Sequence, residues 1–165
     1  MINLDLYGLV EKKLNELKIP FQVVDHPPAL TTEEADSFIE GIEGVRTKSM
    51  FLTNKNKTAY YLVIMDDQKR LDMDKIKEVT GEKRIKMASE NSLMEKMNLP
   101  VGVVSVFGLL NNKEKDIQVY FDEEITKETR MSFHPNINTK TIFVNTSDIF
   151  KFLQSINFNY SIIDI

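Results

Sequence analysis

The stretch VRTKSMFLTNKNKTAYYLVIM, residues 45–65, contains two runs with the composition of β-strands and a polar connection between them. The two runs, 45–53 and 58–65, contain many β-branched and aromatic residues, which favour strands. The connection, 54–57, consists of asparagine and lysine, and asparagine is common in turns. The pattern predicts a β-hairpin. Its second strand is expected to lie centrally in a sheet, because residues 60–64 are nearly all apolar.

Helical and extended patterns alternate on both sides of this hairpin. Leucines at helical spacing predict an amphipathic opening helix that ends before Pro20. Thr31 and Glu34 have the spacing of a capping box, which predicts a short helix from Thr32 to about Ile39. The interleaving predicts one α+β domain, residues 1–165, with a mixed sheet. The other predicted elements are strands at 21–25, 84–87, 117–121, 141–144 and 160–163, and helices capped by Asp72, Ser89 and Ser147.

Composition excludes several classes of protein. The 165 residues are 42% hydrophobic and 28% charged, which is typical of one globular domain. The absence of cysteine excludes a disulfide framework, a thiolate zinc site and a cysteine nucleophile, and it favours the reducing cytoplasm. A net charge of −4 has the wrong sign for coating nucleic acid, so any such contact is expected to be local. The sequence shows no signal-peptide or membrane-spanning pattern, so we expect a cytoplasmic protein.

Three common catalytic patterns do not match. Only His26 and His134 could supply nitrogen ligands, and neither has a carboxylate at helical spacing, so no metal is expected. Gly41, Gly44 and Lys48 lack the spacing of a phosphate-binding loop. Ser105 does not stand in the Gly-x-Ser-x-Gly turn of a nucleophile elbow. The sequence therefore does not predict a metalloenzyme, a P-loop nucleotide hydrolase or a serine hydrolase.

Three unusual places remain: Lys48 in an otherwise apolar strand, the glycine-bearing run 102–108, and the polar loop 134–139. Each has an ordinary structural interpretation. A strand lysine is usually solvated, glycines often mark turns or bulges, and a loop histidine often bonds to backbone. The residue pattern alone leaves the functional and the structural interpretations open.

The order of these motifs along the chain is more specific. Val24-Asp25-His26-Pro27-Pro28 leads to Thr31-Thr32-Glu33-Glu34-Ala35, followed by Lys48-Ser49-Met50-Phe51-Leu52. The run Leu99-Pro100-Val101-Gly102 and the loop Phe133-His134-Pro135-Asn136-Ile137-Asn138-Thr139 come later. In this order the motifs resemble the YbaK and prolyl-tRNA synthetase-associated domains, a family of aminoacyl-tRNA deacylases. The resemblance covers nearly the whole chain and implies a mixed, partly barrel-like sheet flanked by helices.

The resemblance also implies roles for individual residues. Lys48 would lie near the phosphates of the tRNA's terminal nucleotides, and backbone groups from Gly102 onward would hold the ester and a water. His134 would lie near the bound amino acid, without a cofactor, a metal or a covalent intermediate. Assistance at the tRNA phosphates is expected from Arg46, Lys69 and Arg70. The remaining residues expected to bind substrate are Val104, Ser105, Val106, Phe107, Gly108, Asn136, Asn138 and Thr139.

The loop 133–139 resembles the free-standing branch that hydrolyses alanine from proline tRNA, which implies the acceptor end of tRNA(Pro) as partner, with prolyl-tRNA synthetase as a further candidate. One departure is that Val106 stands where the family's Gly-x-x-x-Pro loop has proline. Two alternatives stay open. The substrate could be another small aminoacyl-tRNA, cysteinyl or seryl, or the chain could be a non-catalytic module that binds aminoacyl-tRNA or an amino acid.

Overall fold

The computed structural model describes residues 5–29 and 31–165, except for the side chain of Thr32. The described chain folds as a mixed sheet with helices packed on it, which confirms the predicted α+β class. Its helices are α1 (Leu6–Glu16), α2 (Thr32–Ser37), α3 (Met73–Thr80), α4 (Glu90–Met97), a 3₁₀ helix (Val106–Asn111), α5 (Glu123–Thr126) and α6 (Thr146–Ser155). Its strands are β1 (Phe21–Asp25), β2 (Val45–Asn54), β3 (Tyr60–Asp66), β4 (Ile85–Met87), β5 (Ile117–Asp122), β6 (Arg130–Phe133), β7 (Lys140–Asn145) and β8 (Tyr160–Ile163).

The predicted hairpin is formed by β2 and β3, which pair antiparallel with Lys48 opposite Met65. Across the sheet the strands lie in the order β1-β7-β6-β2-β3-β5-β8, and β4 pairs with β2 outside this order. β3 is buried because it lies between β2 and the parallel strand β5. Its alternating side chains supply both cores: Leu62 and Ile64 pack into the larger cluster, and Val63 packs with Ile76 of α3 in the smaller one.

The outer edge of β2 changes partner along its length. At Val45 and Arg46 it pairs parallel with β6, and from Leu52 to Asn54 it pairs antiparallel with β4. β3 occupies the other edge of β2, so β4 and β6 share this edge and diverge along it. They leave a gap beside residues 47–50 that we call the fork, which ends where the Phe51 carbonyl accepts the Ala88 N–H. A hydrogen bond of 2.5 Å from the Thr47 hydroxyl to the Ser132 carbonyl closes one end of the fork. Lys48 lies just inside it.

Most helix boundaries agree with the sequence, because local capping residues determine them. Thr31, Asp72 and Ser89 each accept a backbone N–H with the side chain, as predicted. The prediction for Ser147 is wrong. α6 begins at Thr146, two residues earlier than a Ser147 cap would place it, with Asn145 at the capping position. The Thr146 hydroxyl donates to the Glu128 carbonyl, so a tertiary contact fixes this helix start.

Other differences are small or concern short elements. α2 ends at Ser37, before the predicted end near Ile39. β3 begins at Tyr60 because the Asn54 side chain accepts the N–H groups of Thr58 and Ala59 within the turn. Sequence analysis did not predict β6, α5 or the 3₁₀ helix. Within the described ranges, no helix is long and apolar enough to cross a membrane.

Candidate active site

A cavity of about 480 Å³ opens in the fork. This volume lies in the usual range of small-molecule sites. Besides β2, its wall includes parts of helix α2, of the turn at 101–104, which we call the glycine turn, and of the histidine loop, residues 134–139. The three unusual places of the sequence therefore meet at one cavity. Their representatives in its wall are Lys48, Gly102 and His134.

Lys48 supplies an unpaired cation to this cavity. Its side chain is only partly buried, and its ammonium group forms no ion pair or hydrogen bond with any residue of 5–29 or 31–165. Other lysines differ: Lys69 pairs with Asp122 at 2.7 Å, and Lys96 pairs with Asp116 at 2.6 Å. Because nothing in the described protein neutralises Lys48, its charge is available to an anionic ligand.

The glycine turn presents main-chain donors. Gly102 has φ +96°, a left-handed conformation that a side chain would strain, although an added Cβ would meet no atom within 4 Å. Glycine is therefore required here by backbone shape rather than by crowding. The N–H groups of Gly102 and Val104 donate no hydrogen bond to another described residue, and both residues line the cavity. Such free donors can bind a carbonyl oxygen that becomes negative during a reaction.

A buried hydrogen bond joins the glycine turn to the histidine loop. The Ser105 hydroxyl donates to the Asn136 side-chain oxygen at 3.0 Å, and it accepts the Phe107 N–H at 3.1 Å. Ser105 and Asn136 are only 1% and 3% exposed. Asn136 also has φ +63°, a conformation that asparagine tolerates better than most residues. We call this contact the loop clamp, and its role is to hold two walls of the cavity in register.

His134 lies at the cavity wall, and burial lowers the pKa of its imidazole, which favours the neutral form. The bond to the Lys140 carbonyl, the next largest effect, raises this pKa, His26 lowers it, and Asp36 raises it slightly. Its Nδ1 lies 3.4 Å from that carbonyl, which can only accept, so Nδ1 carries the proton in this contact. The Nε2 lone pair is then free to accept a hydrogen bond from water. His26, 6.4 Å away between ring centroids, supports the ring edge-on.

Two aspartates in the cavity wall were not found by sequence reasoning. Asp36 lies on α2 and Asp67 directly follows β3, and their carboxyl groups are in hydrogen-bond contact. Burial raises the pKa of Asp67 to about 7, with Asp36 as the next cause. We call these two residues the acidic pair. No local pattern could have predicted it, because only the fold brings the two positions together.

Arg46 lines the cavity, but its guanidinium group is used within the fold. It donates to the carbonyls of Gly44, Ile39 and Ile42 at 2.5–2.8 Å and lies over the Phe143 ring. These bonds fix the segment between α2 and β2. Lys69 is tied to Asp122 and Glu124, and neither it nor the exposed Arg70 reaches the cavity wall.

The sequence-predicted site residues thus divide into three groups. The cavity wall contains Arg46, Lys48, Gly102, Val104, His134 and Asn138. Buried behind the wall are Ser105, Val106, Phe107, Gly108 and Asn136. Outside the wall are Lys69, Arg70 and Thr139, the last of which accepts the His26 N–H with its carbonyl.

Val106 occupies a position where proline would also fit. It is the first residue of the 3₁₀ helix, Ser105 before it is extended, and its N–H has no partner among the described residues. The side chain is fully buried. The backbone at this position is therefore one that the proline of the family's loop could also adopt.

The described residues contain no group of three or more His, Asp or Glu side chains that could hold a metal ion.

Comparison with known proteins assigns the chain to a family. The model of the aminoacyl-tRNA editing domain matches residues 26–152, which include the fork and all three of its motifs. The chain belongs to the aminoacyl-tRNA editing family. It is accordingly an aminoacyl-tRNA deacylase, an enzyme that binds aminoacyl-tRNA and hydrolyses its ester. The resemblance inferred from the order of motifs is confirmed.

Individual relatives agree with this family. The chain is 30% identical over 155 residues to the prolyl-tRNA editing protein ProX of Acetoanaerobium sticklandii, covering 93% of this chain and 94% of that protein. It is 27% identical to prolyl-tRNA synthetase associated domain-containing protein 1 of Danio rerio, covering 91% and 82%. A solved structure provisionally described as a trans-editing enzyme for prolyl tRNA synthetase superposes with a TM-score of 0.75 at 16% identity, covering 99% and 98%. That likeness shows the shared fold.

Proposed function

We propose that this member of the editing family hydrolyses the alanyl ester of mischarged Ala-tRNA(Pro) in trans. The observation that carries the proposal is the unpaired Lys48 ammonium group in one cavity with the free N–H groups of the glycine turn and with neutral His134. The name of the Acetoanaerobium sticklandii relative, a prolyl-tRNA editing protein, supports proline tRNA as the carrier.

Lys48 binds a phosphate of the terminal nucleotides in this proposal. Its ammonium group has no competing partner among the described residues, so binding sacrifices no internal ion pair. A charge-assisted contact of this kind positions the acceptor end without a large basic surface, which suits a chain of net charge −4. The amino acid then enters the fork ahead of the nucleotides.

The ester is an activated group, so positioning and charge stabilisation suffice for its hydrolysis. The N–H groups of Gly102 and Val104 donate to the ester carbonyl oxygen as it gains negative charge. A water held by His134 Nε2 attacks the carbonyl carbon, and the bond from that carbon to the ribose oxygen breaks. The proton lost by the water goes to the ribose oxygen, directly or through the vicinal hydroxyl, which yields alanine and free tRNA.

Alanine selectivity in this proposal is steric. The inner wall of the cavity includes Phe51 and Phe133, both 3% exposed, and both belong to the larger core cluster. Rigid aromatic walls exclude a side chain that is too large more effectively than they reject a smaller one. A methyl group fits such a wall and the ring of proline does not, so cognate prolyl-tRNA is spared.

The test is a deacylation panel at equal enzyme concentration with alanyl-, cysteinyl-, seryl- and prolyl-tRNA(Pro). The proposal predicts that the alanyl ester is hydrolysed fastest and the prolyl ester at the spontaneous rate. Faster hydrolysis of the cysteinyl or seryl ester would reassign the substrate within the family. Binding of all four without loss of any ester would contradict the proposed reaction. Adding prolyl-tRNA synthetase to the same assay tests whether the two proteins act together.

A further inference from the structure

The acidic pair has no cationic partner within the described protein. Asp36 and Asp67 contact each other through their carboxyl groups, and no lysine or arginine of residues 5–29 or 31–165 forms an ion pair with either. Apart from Asp36, the Asp67 carboxyl group accepts a hydrogen bond of 3.2 Å from the Gln68 side-chain amide. Two facing carboxyl groups that are partly buried destabilise a fold unless a proton or a cation lies between them.

The same cavity carries an unpaired charge of the opposite sign. Lys48 lines the wall together with the acidic pair, yet its ammonium group does not neutralise either aspartate. The wall therefore carries charged groups of both signs that do not pair with each other. Such a wall complements a ligand that carries both an anion and a cation.

An aminoacyl ester of tRNA is such a ligand. Its nucleotides carry phosphates, and the amino acid carries an α-ammonium group next to the ester carbonyl. Free α-amino groups have a pKa of about 8, so the group is mostly charged near neutral pH. Asp36 is also close enough to His134 for its charge to raise the pKa of that imidazole, which places the acidic pair beside the proposed water-binding group.

We propose that Asp36 and Asp67 are positioning residues that bind the α-ammonium group of the aminoacyl moiety; this role rests on the proposed function. Held by the acidic pair, the amino acid presents its carbonyl to the glycine turn. The pair also selects against esters without this cation, such as N-acylated aminoacyl-tRNA and 2-hydroxyacyl esters, because these cover the two carboxyl groups without supplying a cationic partner.

The experiment compares two substrates on the same tRNA(Pro). One is the alanyl ester, and the other is the lactyl ester, which has a hydroxyl group in place of the ammonium group. Asp36→Asn and Asp67→Asn keep the side-chain shape and remove the charge, and Asp66→Asn is the matched control because Asp66 adjoins the pair in sequence but not in the cavity wall. Thermal unfolding of each variant establishes that it is folded.

Asp36→Asn and Asp67→Asn should each raise KM for the alanyl ester by about 10- to 100-fold, which corresponds to the loss of one charge-assisted hydrogen bond. KM for the lactyl ester should stay within about twofold, and the control should match the wild type on both substrates. Equal losses on the two esters would show a structural role only, and no loss on either would also overturn the inference.

A failure of the proposed function gives a different result. If the wild type hydrolyses neither ester, calorimetry with an amide-linked alanyl-adenosine and its lactyl counterpart still tests the pair. The inference predicts that the wild type binds the alanyl compound about 10-fold or more tightly and that Asp67→Asn removes this preference. Equal affinity of the wild type for the two compounds would overturn it.

Discussion

The loop clamp makes a sharp prediction for Ser105→Ala. The substitution removes the donor to the Asn136 oxygen and the acceptor of the Phe107 N–H, at 3.0 and 3.1 Å. The groups left behind are buried, since Asn136 is 3% exposed and Phe107 is fully buried. A buried polar group without its partner costs about 1–3 kcal/mol, so two of them predict a loss of about 2–4 kcal/mol in the free energy of unfolding after partial relaxation.

Urea unfolding followed by circular dichroism measures this loss from the shift of the midpoint at constant m-value. Ser89→Ala is the matched control, because Ser89 caps α4 with a hydroxyl in a less buried place and should cost only about 1 kcal/mol. At a temperature where both variants are folded, Ser105→Ala should also lower kcat for ester hydrolysis, since the glycine turn and the histidine loop lose their register. A change in unfolding free energy below about 0.5 kcal/mol would refute the clamp.

Three further predictions concern the walls of the cavity. Val106→Pro should leave activity intact and raise the free energy of unfolding by about 0.5 kcal/mol, because it removes no hydrogen bond and restricts the unfolded chain; a loss above about 1 kcal/mol in urea would contradict it. Arg46→Lys should lower the free energy of unfolding by about 2–3 kcal/mol in the same assay, because an ammonium group cannot reproduce the guanidinium hydrogen bonds to three carbonyls; an unchanged midpoint would show those bonds to be dispensable. For Asp67, the folded pKa of about 7 exceeds the unfolded value near 4, so the native state holds the extra proton and stability falls as pH rises from about 4 to about 7. Asp67→Asn should flatten this loss of stability with pH and should stabilise the protein at pH 8. Asp36, Asp66 and Gln68 also influence the Asp67 pKa. An unaltered pH profile of the unfolding midpoint would contradict the raised pKa of Asp67.

The parts of the fold that were predictable from sequence are those that local residues determine. The hairpin 45–65 and the caps at Asp72 and Ser89 depend on neighbours a few positions away, and the structure has them as predicted. β6 was not predictable, because its four residues form a strand through a parallel partner, β2, that is distant in sequence. The error at Ser147 has a similar cause, since Glu128 accepts from Thr146 across the fold.

The candidate site was less predictable from sequence than the hairpin and the helix caps. Lys48, Gly102 and His134 lie in locally unusual stretches of sequence, but each stretch also has an ordinary structural interpretation. Only the order of motifs along the chain favoured the functional one. The cavity then separates residues in its wall, such as Asn138, from residues that support the wall, such as Asn136. The acidic pair is visible only in the folded chain, because α2 and the end of β3 supply one carboxyl group each.

The most direct measurement is kcat/KM of Lys48→Ala for alanyl-tRNA(Pro), with Lys69→Ala as a comparison from outside the cavity. Lys48 has no ion pair or hydrogen bond among the described residues, so its variant should unfold at the wild-type temperature. The account predicts that Lys48→Ala loses at least about 10-fold in kcat/KM, the equivalent of one charge-assisted contact, and that Lys69→Ala keeps its activity wherever it is folded. Wild-type hydrolysis by folded Lys48→Ala would contradict the assignment of the cavity in the fork as the active site.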